Sequence, residues 1–289
     1  MRIVHTAEEL RGLASRPGRR DGDRATRAVV MTMGAIHEGH LALVREAREA
    51  ADEVVVTIFV NPLQFNDPAD LESYPRTLEA DCALLEPQGV DVVFAPSAQE
   101  MYPGGTPAVT VSAGEIGRVL EGAHRPGHFD GMLTVVCKLL WLTRPDLAYF
   151  GQKDAQQLIA VRAMARDLSI PTRIVGVPTV RDADGLALSS RNVFLSASER
   201  TRALVLSRAL RASDAAARSG ADVAAALAAG RTTLAEVPEV EVDYLAALDP
   251  VSAMSVPDDY RGEAVIAVAA RVGETRLIDN VVTRVGPVG

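Results

Sequence analysis

The chain has 289 residues and a formal net charge of −8 at pH 7. Hydrophobic residues make up 48% of it, which is enough for a substantial core, and the length fits one large domain or two of ordinary size. The acidic balance argues against a nucleic-acid partner, which usually needs a basic face. It does not argue against small anionic substrates, because these need only a local cluster of positive groups.

Three further features indicate a cytosolic protein without membrane association. No apolar run approaches the roughly 18 residues that a membrane-spanning helix needs. The first residues are interrupted by charges and lack the apolar core of a signal peptide. The two cysteines, Cys82 and Cys137, give no disulfide framework. We therefore expect a soluble, cytoplasmic chain.

Strand-like and helix-like segments alternate over the first two thirds of the chain. Apolar runs rich in β-branched residues predict strands, and apolar residues at helical spacing predict helices. In chain order the predicted elements are a strand at 28–31, a helix from Leu41, a strand at 54–60, a helix at 77–88, a strand at 91–95, a helix at 132–142, a strand at 147–150, a helix at 155–168 and a strand at 172–177. The alternation predicts an α/β fold with a doubly wound, Rossmann-like parallel sheet, whose ligands bind beyond the carboxyl ends of the strands.

The character of the sequence changes after about residue 185. Ser196 and Glu199 have the spacing of a capping box and predict the start of a long helix. A second, Ala-rich helix is predicted at 222–235, followed by strands at 240–248, 264–272 and 275–278. We expect a Rossmann-like domain over residues 1–182 and a smaller α+β C-terminal domain over 183–289.

The most distinctive motif, MGAIHEGH at residues 33–40, stands where the first predicted strand of the sheet gives way to a helix. The first amide N–H groups of a helix have no internal partners and bind phosphate, and imidazoles add donors that can become positive near neutral pH. His37 and His40 could also be half of a metal site, but the chain has only 5 histidines and its cysteines lack metal-type spacing. The motif therefore indicates a phosphate group, and a nucleotide above all.

Other polar segments follow predicted strands. Asn61 and Gln64 offer amide groups that suit hydroxyls and carboxylates, although Asn-Pro also marks ordinary turns. The segment GQKD at 151–154 combines a glycine, a lysine and a helix start, as a phosphate site does. The segment DGLALSSRN at 184–192 places two hydroxyls before Arg191, which can bind a phosphate through two N–H groups, or it is a simple linker.

Two further observations bear on the reaction class. The segment GAHRPGHFDG at 122–131 is rich in glycine yet carries two histidines and an arginine, a content more typical of a site than of a spacer. The chain has neither a Walker loop nor a Gly-x-Ser-x-Gly elbow, so a P-loop ATPase and a serine nucleophile are both disfavoured.

Together these segments resemble the pantoate–β-alanine ligase family. Six pieces match in the family's order over about residues 28–195: MGAIHEGH at 33–40, FVNPLQF at 59–65, YPRT at 74–77, RPGHF at 125–129, FGQKD with QQ at 150–157, and LSSRN at 188–192. The first and last also resemble the two signatures of the wider nucleotidylyltransferase and class I synthetase group. The chain departs from the family at Gln152, where Glu is usual, and at Met31, where Pro is usual.

The resemblance implies an enzyme that condenses pantoate with β-alanine to pantothenate at the expense of ATP. Pantoyl adenylate is the implied intermediate, with AMP and pyrophosphate released. The first domain would bind the nucleotide and pantoate, and the second would close over the site as a lid. Mg²⁺ would be carried mainly by the ATP phosphates, with no protein ligand assigned, and the chain would form a homodimer.

The resemblance also implies roles for individual residues. The implied catalytic residues are His40, as proton donor, with His37, Lys153, Ser189, Ser190 and Arg191. The implied pantoate-binding residues are Gln64 and Gln157, with Asn61 and Met33. The implied ATP-binding residues are Met33, Gly34, Ala35, Ile36, His37, Glu38, Gly39, His40, Gly151, Gln152, Lys153, Asp154, Val180, Leu188, Ser189, Ser190 and Arg191.

Two alternative functions remain open. An adenylyltransferase acting on a phosphate ester would share the two histidines but would not need two amide-rich loops. A non-catalytic nucleotide-binding protein would not need the complete basic set of His37, His40, Lys153 and Arg191. Release of AMP in the presence of both substrates distinguishes the ligase from either alternative.

Overall fold

The computed structural model describes residues 1–13, 25–66 and 68–286. Contacts within the chain divide it into two compact units. Unit 1 comprises Met1–Gly151 and Ala160–Val177, and unit 2 comprises Gln152–Ile159 and Pro178–Gly289. The domain boundary at residue 182 stays a prediction, and nothing in the sequence pattern indicated that the short segment Gln152–Ile159 groups with the C-terminal part of the chain.

Unit 1 is built on a six-stranded sheet with the strand order β1-β4-β3-β2-β5-β6. All of its strand pairs are parallel. The strands are β1 (Arg2–Val4), β2 (Arg27–Thr32), β3 (Glu53–Ile58), β4 (Val92–Phe94), β5 (Leu147–Gly151) and β6 (Arg173–Val177). The predicted Rossmann-like parallel sheet is therefore confirmed, with the short edge strand β1 as an addition that the sequence pattern did not indicate.

Helices connect these strands. They are α1 (Ala7–Gly12), α2 (Glu38–Ala50), α3 (Pro68–Ser73), α4 (Leu78–Leu85), α5 (Ala98–Met101), α6 (Glu121–His124), α7 (His128–Thr143) and α8 (Ala155–Asp167), of which the first residues of α8 belong to unit 2. The core of unit 1 explains the apolar runs: Val54, Val55 and Val56 of β3 are all fully buried, as expected for a parallel sheet covered on both faces.

The strand order fixes where a ligand can bind in unit 1. From β2 the chain moves outward through β3 and β4, then returns to the other side of β2 with β5. At such a reversal the connections leave the sheet in opposite directions, and a crevice opens beyond the carboxyl ends of the two strands. Here these are the ends of β2 and β5, which lead into the MGAIHEGH and GQKD segments.

Unit 2 contains an antiparallel sheet in the order β7-β8-β9, with the helices α9 and α10. The elements are α9 (Ala197–Arg218), α10 (Val223–Leu234), β7 (Val240–Leu248), β8 (Gly262–Val272) and β9 (Thr275–Val285). The predicted α+β composition and the capping box of Ser196 and Glu199 are both confirmed. No helix in the described part of the chain is both long enough and apolar enough to cross a bilayer.

Candidate active site

The loop between β2 and α2 has a backbone that ordinary residues rarely adopt. Gly34 has a φ of +88° and Ala35 a φ of +50°, and the amide of Gly34 donates to the hydroxyl of Thr32 at 3.1 Å. A Cβ at position 34 would lie 3.0 Å from Oδ2 of Asp81, so both conformation and space require glycine. The left-handed residue Ala35 costs about 1–2 kcal/mol and needs compensating contacts.

Asp81 of α4 supplies those contacts. Its carboxylate accepts hydrogen bonds from the amides of Ala35 at 3.1 Å and Ile36 at 2.8 Å. It also accepts from the hydroxyl of Thr77 at 3.2 Å, and its residue is only 2% exposed. A buried carboxylate that accepts several hydrogen bonds fixes the loop just before the histidine pair.

Sequence reasoning missed Asp81, although a signal was present. Leu78, Cys82 and Leu85 have helical spacing and form the inward face of α4, with Leu78 partly buried and the other two buried. Asp81 is buried on that same face. A carboxylate in an apolar stripe indicates a specific partner, because burying it alone is costly.

His37 and His40 cap the start of α2. His37 is the N-cap residue, and its Nδ1 accepts from the amide of Gly39 at 3.1 Å. The Nδ1 of His40 accepts from the amide of His37 at 3.4 Å, and the two rings stack with centroids 4.0 Å apart. A neutral imidazole that accepts at Nδ1 carries its proton on Nε2, so each ring presents an Nε2–H donor in a fixed orientation.

Gly39 permits this arrangement. A Cβ there would lie 2.9 Å from Cε1 and 3.0 Å from Nδ1 of His37. Only a residue without a side chain lets the His37 ring fold back over the first turn of the helix. The Glu38 side chain points elsewhere and forms an ion pair with Arg45.

The predicted pantoate residues of unit 1 lie together. Gln64 is 8% exposed, and its Nε2 lies 2.8 Å from the Met33 sulfur. Asn61 donates from Nδ2 to Oε1 of Gln64 and to the carbonyl of Gly131, both at 3.1 Å. The Oδ1 of Asn61 accepts from the hydroxyl of Tyr102 at 2.9 Å. Asn61 therefore orients the amide of Gln64 through contacts within the protein.

Tyr102 is 7% exposed, and this burial raises its pKa to about 12. The phenol stays protonated at physiological pH and remains a donor to Asn61. Lys138 lies 5.4 Å from the centre of its ring. The tyrosine thus closes a buried chain of hydrogen bonds that ends at Gln64.

The histidine- and arginine-bearing segment at 122–131 contacts the same turn. The Nδ1 of His128 lies 2.8 Å from the carbonyl oxygen of Gln64, and Arg125 donates to that oxygen at 3.4 Å. Arg125 also lies 3.2 Å from Nε2 of His128. These contacts hold the backbone at Gln64 from one side while Asn61 holds its side chain from the other.

A cavity of about 380 Å³ lies in unit 1 beside the loop at 33–34. Its lining is mostly apolar, with Arg76, Thr77, Asp81 and Ser97 as polar members. Among the described residues, no group of three or more His, Cys, Asp or Glu side chains is arranged to hold a metal ion.

In unit 2, Lys153 lies in the 3₁₀ turn Gln152–Asp154. Its side chain is 18% exposed, and Nζ lies 3.9 Å from Oδ1 of Asp154. The amide of Asn280 donates to the carbonyls of Gln152 and Lys153, both at 2.8 Å. Gln157, in the first turn of α8, is half-buried.

A hairpin carries Val180 and Leu188 in unit 2. Leu188 donates to the carbonyl of Val180 at 2.9 Å, and a β-bridge joins Arg181 to Ala187. Ser189 follows as the N-cap of the 3₁₀ turn Ser190–Phe194, with its hydroxyl accepting from the amide of Arg191 at 3.2 Å. The side chains of Ser190 and Arg191 are exposed.

The structure thus brings the predicted site residues together in two groups. In unit 1 the loop at 33–40, with both histidines, and the Asn61–Gln64 turn meet at Met33; Gly151 ends β5 in the same unit. In unit 2, β9 packs against both the Gln152–Asp154 turn and the Ser190–Phe194 turn that follows Ser189, and Gln157 lies in the first turn of α8. The individual binding and catalytic roles stay predictions.

The chain is similar to known proteins over nearly its whole length. The family model "Pantoate-beta-alanine ligase" matches residues 2–282. The pantothenate synthetase of Thermobifida fusca is 56% identical, with 96% of this chain and 94% of the relative aligned. That of Streptomyces avermitilis is 52% identical, with 96% of both chains aligned.

Solved structures agree. The crystal structure of pantothenate synthetase from Thermus thermophilus matches with a TM-score of 0.87 at 50% identity, covering 97% of this chain and 99% of that one. The pantoate–β-alanine ligase from Francisella tularensis, crystallised with beta-gamma ATP and β-alanine, matches with a TM-score of 0.75 at 34% identity over 97% of both chains. These matches confirm the resemblance read from the six sequence segments and the predicted enzyme class. The chain belongs to the pantoate–β-alanine ligase family and is a ligase of that family.

Proposed function

We propose that this chain condenses pantoate with β-alanine at the expense of ATP, through pantoyl adenylate, to give pantothenate, AMP and pyrophosphate. Family membership supports the overall reaction. The observation that carries the mechanism is the capped histidine pair, because the two rings are fixed with Nε2–H donors at the start of α2. The Francisella relative was crystallised with beta-gamma ATP and β-alanine, and we extend both ligands to this chain.

In the first step a carboxylate oxygen of pantoate attacks the α-phosphorus of ATP, and pyrophosphate leaves. Negative charge builds on the phosphate oxygens, so donors that are already oriented lower the barrier. His40, with His37, is proposed to donate from Nε2, while the first amides of α2 add their dipoles. Because their Nδ1 atoms accept from the backbone, the rings need little rearrangement during the reaction.

In the second step the amine of β-alanine attacks the acyl carbon and AMP leaves with the electrons of the broken C–O bond. The adenylate is needed because an amine does not displace oxide from a carboxylate. Gln64 and Gln157 are proposed to bind the hydroxyl and carboxylate groups of pantoate, with Met33 beside them. The hydrogen bonds of Asn61 favour a positioning role through Gln64.

Lys153 and the Ser189–Arg191 segment are proposed to bind phosphates, together with backbone groups of the predicted ATP set at 33–40, 151–154, 180 and 188. The backbone carbonyl of Gln152 is engaged by Asn280. If residue 152 acts through its backbone, the replacement of the family's usual Glu by Gln has only a mild effect.

We propose that Mg²⁺ arrives bound to the ATP phosphates, and we derive no step through it. The cytosolic location, the homodimer and the lid role of the C-terminal domain remain part of the proposal.

Isotope exchange between pyrophosphate and ATP tests the first step. We expect exchange that requires pantoate and does not require β-alanine, because the adenylate forms before the amine enters. Exchange without pantoate would contradict the proposal. His40→Ala should slow exchange by about 10²–10³-fold, the usual cost of one lost donor.

His124→Ala is the matched control. Of the two histidines in the segment at 122–131, His128 contacts the carbonyl of Gln64, whereas His124 is exposed and ends α6. Its exchange rate should equal that of the unaltered chain.

Release of AMP is a second test. If AMP is released only when both pantoate and β-alanine are present, the chain is the ligase and neither an adenylyltransferase nor a non-catalytic nucleotide-binding protein.

A further inference from the structure

Two neighbouring polar residues of β9 are almost wholly buried. Asp279 is 4% exposed and Asn280 is 6% exposed. Successive side chains of a strand point to opposite faces, so the two reach different segments of unit 2. The proposed reaction assigns neither of them a role, and their contacts show what they hold.

Asn280 holds the turn that carries Lys153. Both hydrogens of its amide nitrogen are used, one on the carbonyl of Gln152 and one on that of Lys153, each at 2.8 Å. Two bonds to successive carbonyls fix both the position of the turn and its rotation. Asn280 therefore sets the orientation of the backbone from which the Lys153 side chain extends.

Asp279 holds the hairpin that leads to Ser189. Its two carboxylate oxygens accept from the guanidinium of Arg181 at 2.6 and 2.9 Å, a bidentate pair. Arg181 also donates to the carbonyl of Gly185 at 3.3 Å, so the pair fixes the hairpin's turn as well as its first strand. Planar pairing of this kind constrains direction as well as distance.

The two contacts are coupled. Oδ1 of Asp279 accepts the backbone amide of Asn280 at 2.8 Å, so the carboxylate that binds Arg181 also fixes the strand at Asn280. β9 additionally packs against the Gln152–Asp154 and Ser190–Phe194 turns. A single dipeptide thus connects the two segments of unit 2 that carry the predicted phosphate-binding side chains.

We propose that Asp279 and Asn280 are positioning residues that set the Lys153 turn and the hairpin preceding Ser189–Arg191 for binding of the ATP phosphates. The inference rests on the proposed function. Buried ion pairs add little net stability compared with packed apolar residues, so orientation accounts for this pair better than stability does.

The test uses Asn280→Asp, which keeps the size of the side chain but replaces both amide hydrogens by an acceptor. We expect the KM for ATP to rise about tenfold, as for the loss of two modest hydrogen bonds, while the KM for β-alanine stays unchanged. Asp279→Asn, which removes the charge facing Arg181, should also raise the KM for ATP. Circular dichroism and melting curves verify that each variant is folded.

Thr283→Val is the matched control. Thr283 lies on the same strand, is 4% exposed, and its hydroxyl has no hydrogen-bond partner among the described residues. The valine has nearly the same shape, so the kinetic constants should not change. This variant distinguishes positioning by two specific side chains from a general sensitivity of β9.

An unchanged KM for ATP in both folded variants would overturn the inference. An equal rise in KM for all three substrates would also overturn it, because it would indicate general loosening of the fold. So would loss of folding in both variants, since the pair would then act through stability alone. Calorimetric titration with ATP needs no turnover, so it tests positioning even if the unaltered chain shows no pantoate-dependent exchange, a result that contradicts the proposed function instead.

Discussion

At Gly39, helix propensity and the site make opposite demands. Glycine inside a helix costs about 1 kcal/mol relative to alanine, so Gly39→Ala should stabilise α2. The added Cβ would lie 2.9 Å from Cε1 of His37 and must displace that ring. We expect a melting temperature close to that of the unaltered chain, because the gain in helix propensity and the loss of the His37 cap are each about 1 kcal/mol. Adenylate formation should slow by about a hundredfold through misplacement of the donor.

Gly12→Ala is the control for this substitution. Gly12 ends α1, and a Cβ there meets nothing within 4 Å. This substitution brings only the gain in helix propensity, so the free energy of unfolding should rise slightly while exchange between pyrophosphate and ATP is unaltered. Normal exchange in Gly39→Ala would show that the folded-back His37 ring does not matter for the reaction.

At the residue scale the sequence indicated the groups that face a ligand better than those that hold them. His37, His40 and Gln64 stand in motifs with recognisable chemistry, and the structure places them in unit 1 near its strand ends. Asp81 and Tyr102 were not predicted, because each contacts the site residues from more than 35 positions away in the chain. Such contacts follow from tertiary packing, which periodicity does not reveal.

At the element scale the same limit shortened one strand. The strand was predicted to end at residue 278, because Asp279 and Asn280 interrupt the apolar pattern. In the structure it continues to Val285. The interruption suggested a strand end, whereas the two polar side chains are buried and hydrogen-bonded. The regular elements with clean apolar periodicity, such as α9 with its capping box, were predicted closely.

Tyr102, which follows α5 and donates to Asn61, predicts a stability that depends on pH. Burial raises the pKa of Tyr102 from 10 to about 12, so the folded chain keeps a proton that the unfolded chain releases between these values. The free energy of unfolding should therefore fall as the pH rises from 10 to 12, by at most about 3 kcal/mol from this group. Urea unfolding at a series of pH values measures the slope.

Tyr102→Phe isolates the contribution of this residue. It removes the titrating group and the bond to Asn61, so we expect about 1 kcal/mol lower stability at pH 8 and a shallower fall above pH 10. Some slope should remain, since burial also raises the pKa of Tyr149. Identical slopes in the variant and the unaltered chain would show that Tyr102 does not titrate as described.

At the scale of the whole molecule, alternation of elements was sufficient to predict a parallel sheet, but neither its edge strand β1 nor the grouping of the chain into two units. The strands around β2 pair in parallel because helices connect successive strands and return the chain to the same end of the sheet. That Gln152–Ile159 groups with the C-terminal residues depends on contacts such as those of Asn280 with two backbone carbonyls. A single hydrogen-bonding side chain far along the chain leaves no periodic signal.

Binding of ATP should stabilise the molecule as a whole. A ligand that binds only the folded chain stabilises it by about 2.7 kcal/mol at 100 times its Kd, or roughly 4 °C in Tm for a chain of this length. Lys153→Ala should lose much of this shift, because the proposed phosphate contact is absent. Arg162→Ala, which removes one exposed positive charge from α8, should keep the shift if local contacts rather than net charge determine binding. Scanning calorimetry with and without ATP measures these shifts in Tm. Equal shifts in both variants would show that Lys153 makes no specific contact with the phosphates, since each variant loses one positive charge.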